Sequence, residues 1–111
     1  MIEILKLRRE RFKFFREADR YLKRIKEIAR RHLADPEVYV FGSFVENRHV
    51  PSSDIDVLIV SERVTPDDRV KVLSDIYREF GYEHPFEIHL TDSEGLRWYR
   101  RFAKKLVEVR D

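Results

Sequence analysis

One glycine–serine pair and two aspartates in this 111-residue chain have the types and spacing needed to handle a phosphate. Gly42-Ser43 follows the apolar run Val38-Tyr39-Val40-Phe41. Ten residues later Asp54-Ile55-Asp56 leads into a second apolar run, Val57-Leu58-Ile59-Val60. Glycine at a strand end lets the backbone turn tightly and approach a ligand with no Cβ in the way. If the residues after it form one helical turn, their free N–H groups make an anion site, with the Ser43 hydroxyl as a further donor. Asp54 and Asp56 are two apart, so a strand aims both carboxylates at one face. Two carboxylates beside a phosphate cradle are what a Mg2+–nucleotide complex requires, because the ion takes hard oxygen ligands and bridges to phosphate. Each half has a plainer meaning alone: Gly-Ser is usually a turn, and Asp-x-Asp in a chain that is 40% charged is usually a solvated edge. Both halves touch apolar strands, where charge is rarely placed without a reason.

The elements that must position these groups follow from periodicity. Residues 3–33 are predicted as one long helix with a break near Arg8–Arg11. Phe12, Phe15, Leu22, Ile25 and Ala29 recur at three- and four-residue steps, and Phe14, Tyr21 and Ile28 widen the stripe. Asp35-Pro36 ends it. Val38–Phe41 is a short buried strand, residues 43–48 a short helix, Val50–Ser53 a loop, and Asp54–Val60 the second strand. This arrangement brings Ser43 near the aspartates. Thr65-Pro66-Asp67-Asp68 starts a helix with the stripe Val70, Leu73, Ile76, Tyr77 and Phe80, and Gly81 stops it. A third strand spans Pro85–Leu90, with Phe86, Ile88 and Leu90 facing one way and Glu87 and His89 the other. Thr91 or Asp92 caps a last helix whose stripe runs through Trp98, Phe102, Leu106 and Val109. Trp98 and Tyr99 read as core residues rather than as a base-stacking platform. The short Gly-Ser connection favours antiparallel neighbours, and the helix-length crossover favours a right-handed parallel connection. The expected class is α/β (α+β): a small mixed sheet with helices mainly on one face, the site on the other, and a long N-terminal helix.

Gly-Ser, ten residues and Asp-x-Asp together resemble the motif of the minimal nucleotidyltransferases, a small branch of the DNA polymerase β-like superfamily. The resemblance covers roughly residues 20–110. It implies the polymerase β-like nucleotidyltransferase fold and Mg2+-dependent transfer of a nucleoside monophosphate, with ATP as substrate and two metal ions as the usual device. In that likeness Gly42 and Ser43 hold the β- and γ-phosphates, and Asp54 and Asp56 bind metal. Glu87 on the following strand completes the second metal site and helps deprotonate the attacking hydroxyl. Glu83 and Asp92 are rivals for that third acid. Phe44 and Glu46 stand where the family often has arginine, which leaves Arg48 as the cation of the loop. The resemblance further implies an antitoxin role toward a helical HEPN-type partner, to which some members add AMP. The alternative is a catalytically weak binding module that neutralises a HEPN-type ribonuclease by masking it. A third idea, RNA binding through the basic helix, predicts steep salt dependence.

Composition bounds these readings. The length suits a single domain, 1–111, with a basic N-terminal helix (1–34) and a catalytic core (36–111). No second substrate-binding domain fits, so the acceptor site is expected to need another chain. Absence of cysteine excludes disulfides, thiolate zinc sites and cysteine nucleophiles. No apolar run approaches a membrane span and none near the N-terminus forms a signal core, so a cytoplasmic location is expected. One asparagine, no glutamine and abundant Arg, Lys and Glu match heat-adapted proteins. The net charge of +2 conceals a surplus of seven positive charges in residues 1–34 and of five negative ones thereafter. The basic helix reads as a solvated face or as a docking surface for an acidic partner or RNA. Its broad apolar stripe also allows a homodimer.

Overall fold

Three largely apolar segments build the sheet, the middle one buried at five of its six positions. The computed structural model describes residues 2–50 and 52–111, with side chains from residue 9 onward; Pro51, expected in the loop, lies outside the described residues. Strand β1 (Glu37–Phe41) pairs antiparallel with β2 (Ile55–Val60), Val38 opposite Ile59 and Phe41 opposite Asp56. Strand β3 (Phe86–Thr91) runs parallel to β2, with Asp56 opposite Glu87. A two-residue strand, β4 (Val107–Glu108), pairs antiparallel with β1, giving the order β3-β2-β1-β4. The mixed sheet is the one that connection lengths predict. Helices α1 (Ile2–Arg16), α2 (Ala18–His32) and α3 (Pro66–Phe80) cover one face over Val38, Val40, Ile55, Val57, Ile59, Phe86 and Ile88. The short α4 (Ser93–Phe102) sits on the other, packing Leu96 and Tyr99 toward Tyr39, Leu58 and Val60.

The helix starts follow local chemistry. The Thr65 hydroxyl accepts from the Asp68 N–H at 3.1 Å while the Asp68 carboxylate accepts from the Thr65 N–H at 3.1 Å. This capping box satisfies two orphan donors of α3. Gly81 stops α3 at φ +84°, where a side chain would be strained. Asp92 caps α4 by accepting from the Gly95 N–H at 2.9 Å.

Three expectations are corrected. The N-terminal helix breaks at Glu17, not near Arg8–Arg11. No proline or glycine marks the break; it re-aims the chain so that Phe14 drops between Tyr21, Phe80 and Phe86 while α2 follows the sheet. Phe12, placed in the stripe by periodicity, is exposed in consequence. Residues 43–47 form successive turns rather than a helix. The last helix ends at Phe102, although its apolar spacing runs on to Val109. Beyond it, the exposed edge of β1 takes β4 as a partner, with the Val109 N–H donating to the Val38 carbonyl at 2.7 Å. Edge pairing outweighs helix continuation because an open edge leaves backbone groups unpaired.

The charge asymmetry is largely met inside the molecule. Arg24 reaches Glu79 at 2.6 Å, Arg31 reaches Glu79 and Asp75 at 3.2 and 3.5 Å, and Arg30 reaches Asp111 at 2.6 Å. The basic α2 thus lies against the acidic side of α3 and the C-terminal residue. Hydrogen bonding to His32 at 2.7 Å holds the Asp75 carboxyl below its ordinary value.

His84, in the turn before β3, carries a pH prediction. Its Nδ1 accepts from the Phe86 N–H at 3.0 Å, so its buried Nε2 carries the proton of the neutral ring. Burial pushes its pKa below the ordinary imidazole value, Arg11 adds to the shift, and Asp54 opposes it. The unfolded chain therefore binds this proton at higher pH than the folded one. Stability from this group is full above about 6.5, falls as pH drops below it, and levels off below the depressed folded value. Thermal melts from pH 7.5 to 5 should show a declining melting temperature, and His84→Gln should flatten that slope.

Candidate active site

The site lies where the ends of β1 and β2 meet the start of β3. In β2 the side chains of Ile55, Val57 and Ile59 enter the helix-covered face, so Asp56 emerges on the opposite one. Parallel register sets Glu87 directly beside it, and two residues on, His89 shares that face. Ligand atoms of Asp56, Glu87 and His89 all lie within 4.8 Å of one another. His89 Nε2 is 3.5 Å from Asp56 Oδ1 and 3.9 Å from Glu87 Oε1. That nitrogen is buried and has no hydrogen-bond partner among the described residues.

Gly42 makes the arrangement sterically feasible. Its φ is +82°, and a Cβ there would drive into the Asp56 carboxylate, well inside van der Waals contact. Glycine thus admits both the turn and the carboxylate behind it. Gly42→Ala is expected to keep the fold while displacing Asp56, with affinity for Mn2+ falling about 10- to 100-fold; calorimetric titration beside a circular-dichroism melt checks this.

The turn after Gly42 is closed by backbone bonds: Glu46 N–H donates to the Gly42 carbonyl at 3.2 Å and Arg48 N–H to that of Ser43 at 2.8 Å. The N–H groups of Ser43, Phe44 and Val45 take no backbone acceptor among the described residues. They remain as donors of the kind an anion uses at the start of a helical turn. Phe44 packs toward the core beside Phe15 and His49, at ring separations of 5.9 and 5.1 Å. The side chain of Arg48 is tied to Glu46 at 3.1 Å.

Asp54 stands apart from the trio. It precedes β2, more than half exposed, with its carboxylate 3.7 Å from the Arg11 guanidinium. Arg11 also donates to the Ser53 carbonyl at 2.9 Å, so α1 pins the entry to β2. Strand alternation requires β geometry at both residues, and Asp54 is outside the strand. Asp54 and Glu87 do border a common cavity of about 320 Å3. Of the rival acids, Asp92 is engaged as the cap of α4.

His89 joins the group through the alternation that places Glu87. Trp98 does not take the core position expected of it: it is 56% exposed and Phe102 66%, and the two rings lie 4.6 Å apart. Nothing in local spacing could reveal this, since their apolar stripe looks continuous until β4 interrupts it.

A parallel pair of strands thus sets carboxylates beside a glycine-supported turn with free N–H groups, the two kinds of group that a cation and a phosphate need. The sequence profile of the nucleotidyltransferase domain family matches residues 22–109, and the chain belongs to that family, within the polymerase β-like superfamily. A solved structure described as a candidate nucleotidyltransferase is 32% identical, covers 81% of this chain and 98% of its own, and superposes with a TM-score of 0.67. A second, from Sulfolobus solfataricus and described in the same words, is 20% identical, covers 90% of this chain and 82% of its own, and has a TM-score of 0.54; it shares the fold. No curated protein matches the chain. Among the described residues no helix is long and apolar enough to cross a membrane.

Proposed function

We propose that this protein is a metal-dependent nucleotidyltransferase that moves AMP from ATP to a partner molecule, and that it serves as the antitoxin of a HEPN-type helical protein. The observation that carries the reading is the convergence of Asp56, Glu87 and His89 against the glycine that makes room for Asp56. These residues fit a divalent cation: two carboxylates give hard oxygens, and the buried His89 Nε2 is a polar atom with no hydrogen-bond partner among the described residues. The carboxylates suit Mg2+, and the imidazole extends the set to Mn2+. When bound, such ions neutralise charge on the triphosphate and on the leaving pyrophosphate.

The chain's own residues supply the remainder. The N–H groups of Ser43, Phe44 and Val45 hold the terminal phosphates, and Gly42 keeps the approach open. Asp56 and Glu87 would hold the cation that offsets the charge of the α-phosphate and so leaves its phosphorus open to in-line attack. The acceptor hydroxyl oxygen bonds to the α-phosphorus, its proton passes to Glu87, and the bond to the β-phosphate oxygen breaks to release pyrophosphate. Asp54 would be able to hold a second cation, since its exposed ion pair with Arg11 is weak. The HEPN-type partner and the AMP moiety rest on the family resemblance. The ion pairs that join α2 to α3 fit the heat-adapted source read from the composition.

One observation favours a second reading. With Arg48 tied to Glu46 and Phe44 turned toward the core, the loop offers little free positive charge to a triphosphate. A masking module with vestigial chemistry would tolerate that. Incubation with ATP labelled at the α-phosphate, Mg2+ or Mn2+, and any co-encoded helical protein separates the two. Label on that protein, absent when the γ-phosphate carries it, supports transfer. Tight complex formation with neither label nor nucleotide binding supports masking.

A further inference from the structure

The turn after β1 and the C-terminal half of α4 enclose an open cleft of about 480 Å3 that shares Gly42 and His89 with the carboxylate site. On α4, Leu96 and Tyr99 pack toward the sheet, whereas Trp98 and Phe102, one turn apart, line the cleft and are largely exposed. Lys104 stands at the same cleft, as does Arg48 in its ion pair with Glu46. Its walls are mostly apolar and its volume is within the range of small-molecule sites. An aromatic pair held in solvent beside Lys104, and continuous with the turn whose N–H groups face an anion, matches a planar heterocycle joined to an anionic chain.

We infer that this cleft receives the nucleobase of the triphosphate, stacked on Trp98 and Phe102, with Lys104 facing the ribose-phosphate edge. The inference rests on the nucleotidyltransferase reading and extends it from the phosphates to the base. Stacking on an aromatic face needs no base-edge hydrogen bond and favours larger ring systems. The subsite therefore favours purines over pyrimidines through stacking area, with little discrimination between adenine and guanine.

Trp98 is the chain's single tryptophan, so its fluorescence reports on the cleft alone. The wild type, Phe102→Ala and Trp98→Leu would be titrated with ATP and with inorganic triphosphate, both with Mg2+. Calorimetry would follow all three and fluorescence the two that retain Trp98. Exposure of both rings makes either replacement mild for the fold, and melting curves verify it. The expected result is that ATP quenches Trp98 and triphosphate does not. Phe102→Ala should lose about 5- to 150-fold in ATP affinity while its triphosphate affinity stays unchanged. ATP binding by heat with no quench, and equal affinity in all three proteins, would overturn the base subsite and leave the nucleotidyltransferase reading standing. No heat from either ligand would overturn both. A Trp98 emission shift that follows protein concentration without ligand, matched by dimer in sedimentation, would assign the face to a second copy and overturn the inference.

Discussion

Asp56→Asn is expected to cut nucleotidyl transfer about hundred- to thousand-fold while leaving the fold intact. Asp56 is the one acid in contact with every other part of the site. It faces Glu87 across the parallel register, lies 3.5 Å from His89, and occupies the space Gly42 leaves open. The amide keeps the shape but removes the charge and half of the oxygen donors. Without metal, two nearby carboxylates repel, so the variant should melt no lower than the wild type. The discriminating signature is linkage. A ligand at a hundred times its dissociation constant stabilises the wild type by about 2.7 kcal/mol, and the Mn2+-induced rise in melting temperature should vanish in Asp56→Asn. An unchanged rise would move the metal site elsewhere, with Asp54 and Glu87 as the first place to look. Asp54→Asn should cost less, since that residue is exposed and paired with Arg11.

Phe14→Ala should cost about 3–5 kcal/mol of stability, and roughly 10–20 °C in melting temperature for a domain of this size. Phe14 is 1% exposed and meets Tyr21, Phe80 and Phe86 at ring separations of 4.6, 5.9 and 5.9 Å, the last edge-on. Each aromatic pair adds to area burial. The residue precedes the 22–109 segment that the family profile matches, yet it is the most buried described side chain of α1. The melt therefore asks whether α1 is an integral layer of this domain. A loss below about 1 kcal/mol would mean that α1 is an appendage, since surface changes rarely exceed that range. Phe12→Ala, at an exposed position, is the matched control.

Local rules made much of the architecture legible. Thr65 with Asp68, Gly81 and the alternation Phe86–Ile88–Leu90 each have a physical meaning within a few residues, and the elements stand where those rules put them. The same locality explains the errors. Apolar spacing from Trp98 to Val109 fits a helix, and only the unpaired edge of β1, some seventy residues earlier, pulls Val107–Glu108 into the sheet. Pairing energy across the fold is invisible to a pattern read along the chain.

The site divides in the same way. By itself the sequence determined that Gly42 ends a strand, that Asp56 lies near the start of the next, and that Glu87 and His89 share a face, because side-chain alternation has a period of two wherever a strand forms. Tertiary structure alone decided which of these meet. Parallel register put Glu87 beside Asp56, positive φ at Gly42 cleared room for the carboxylate, Arg11 held Asp54 aside, and β4 left Trp98 and Phe102 facing the cleft. Facing is a property of one segment, whereas distance depends on how segments pack. The convergence of Asp56, Glu87 and His89 is therefore a property of the folded sheet.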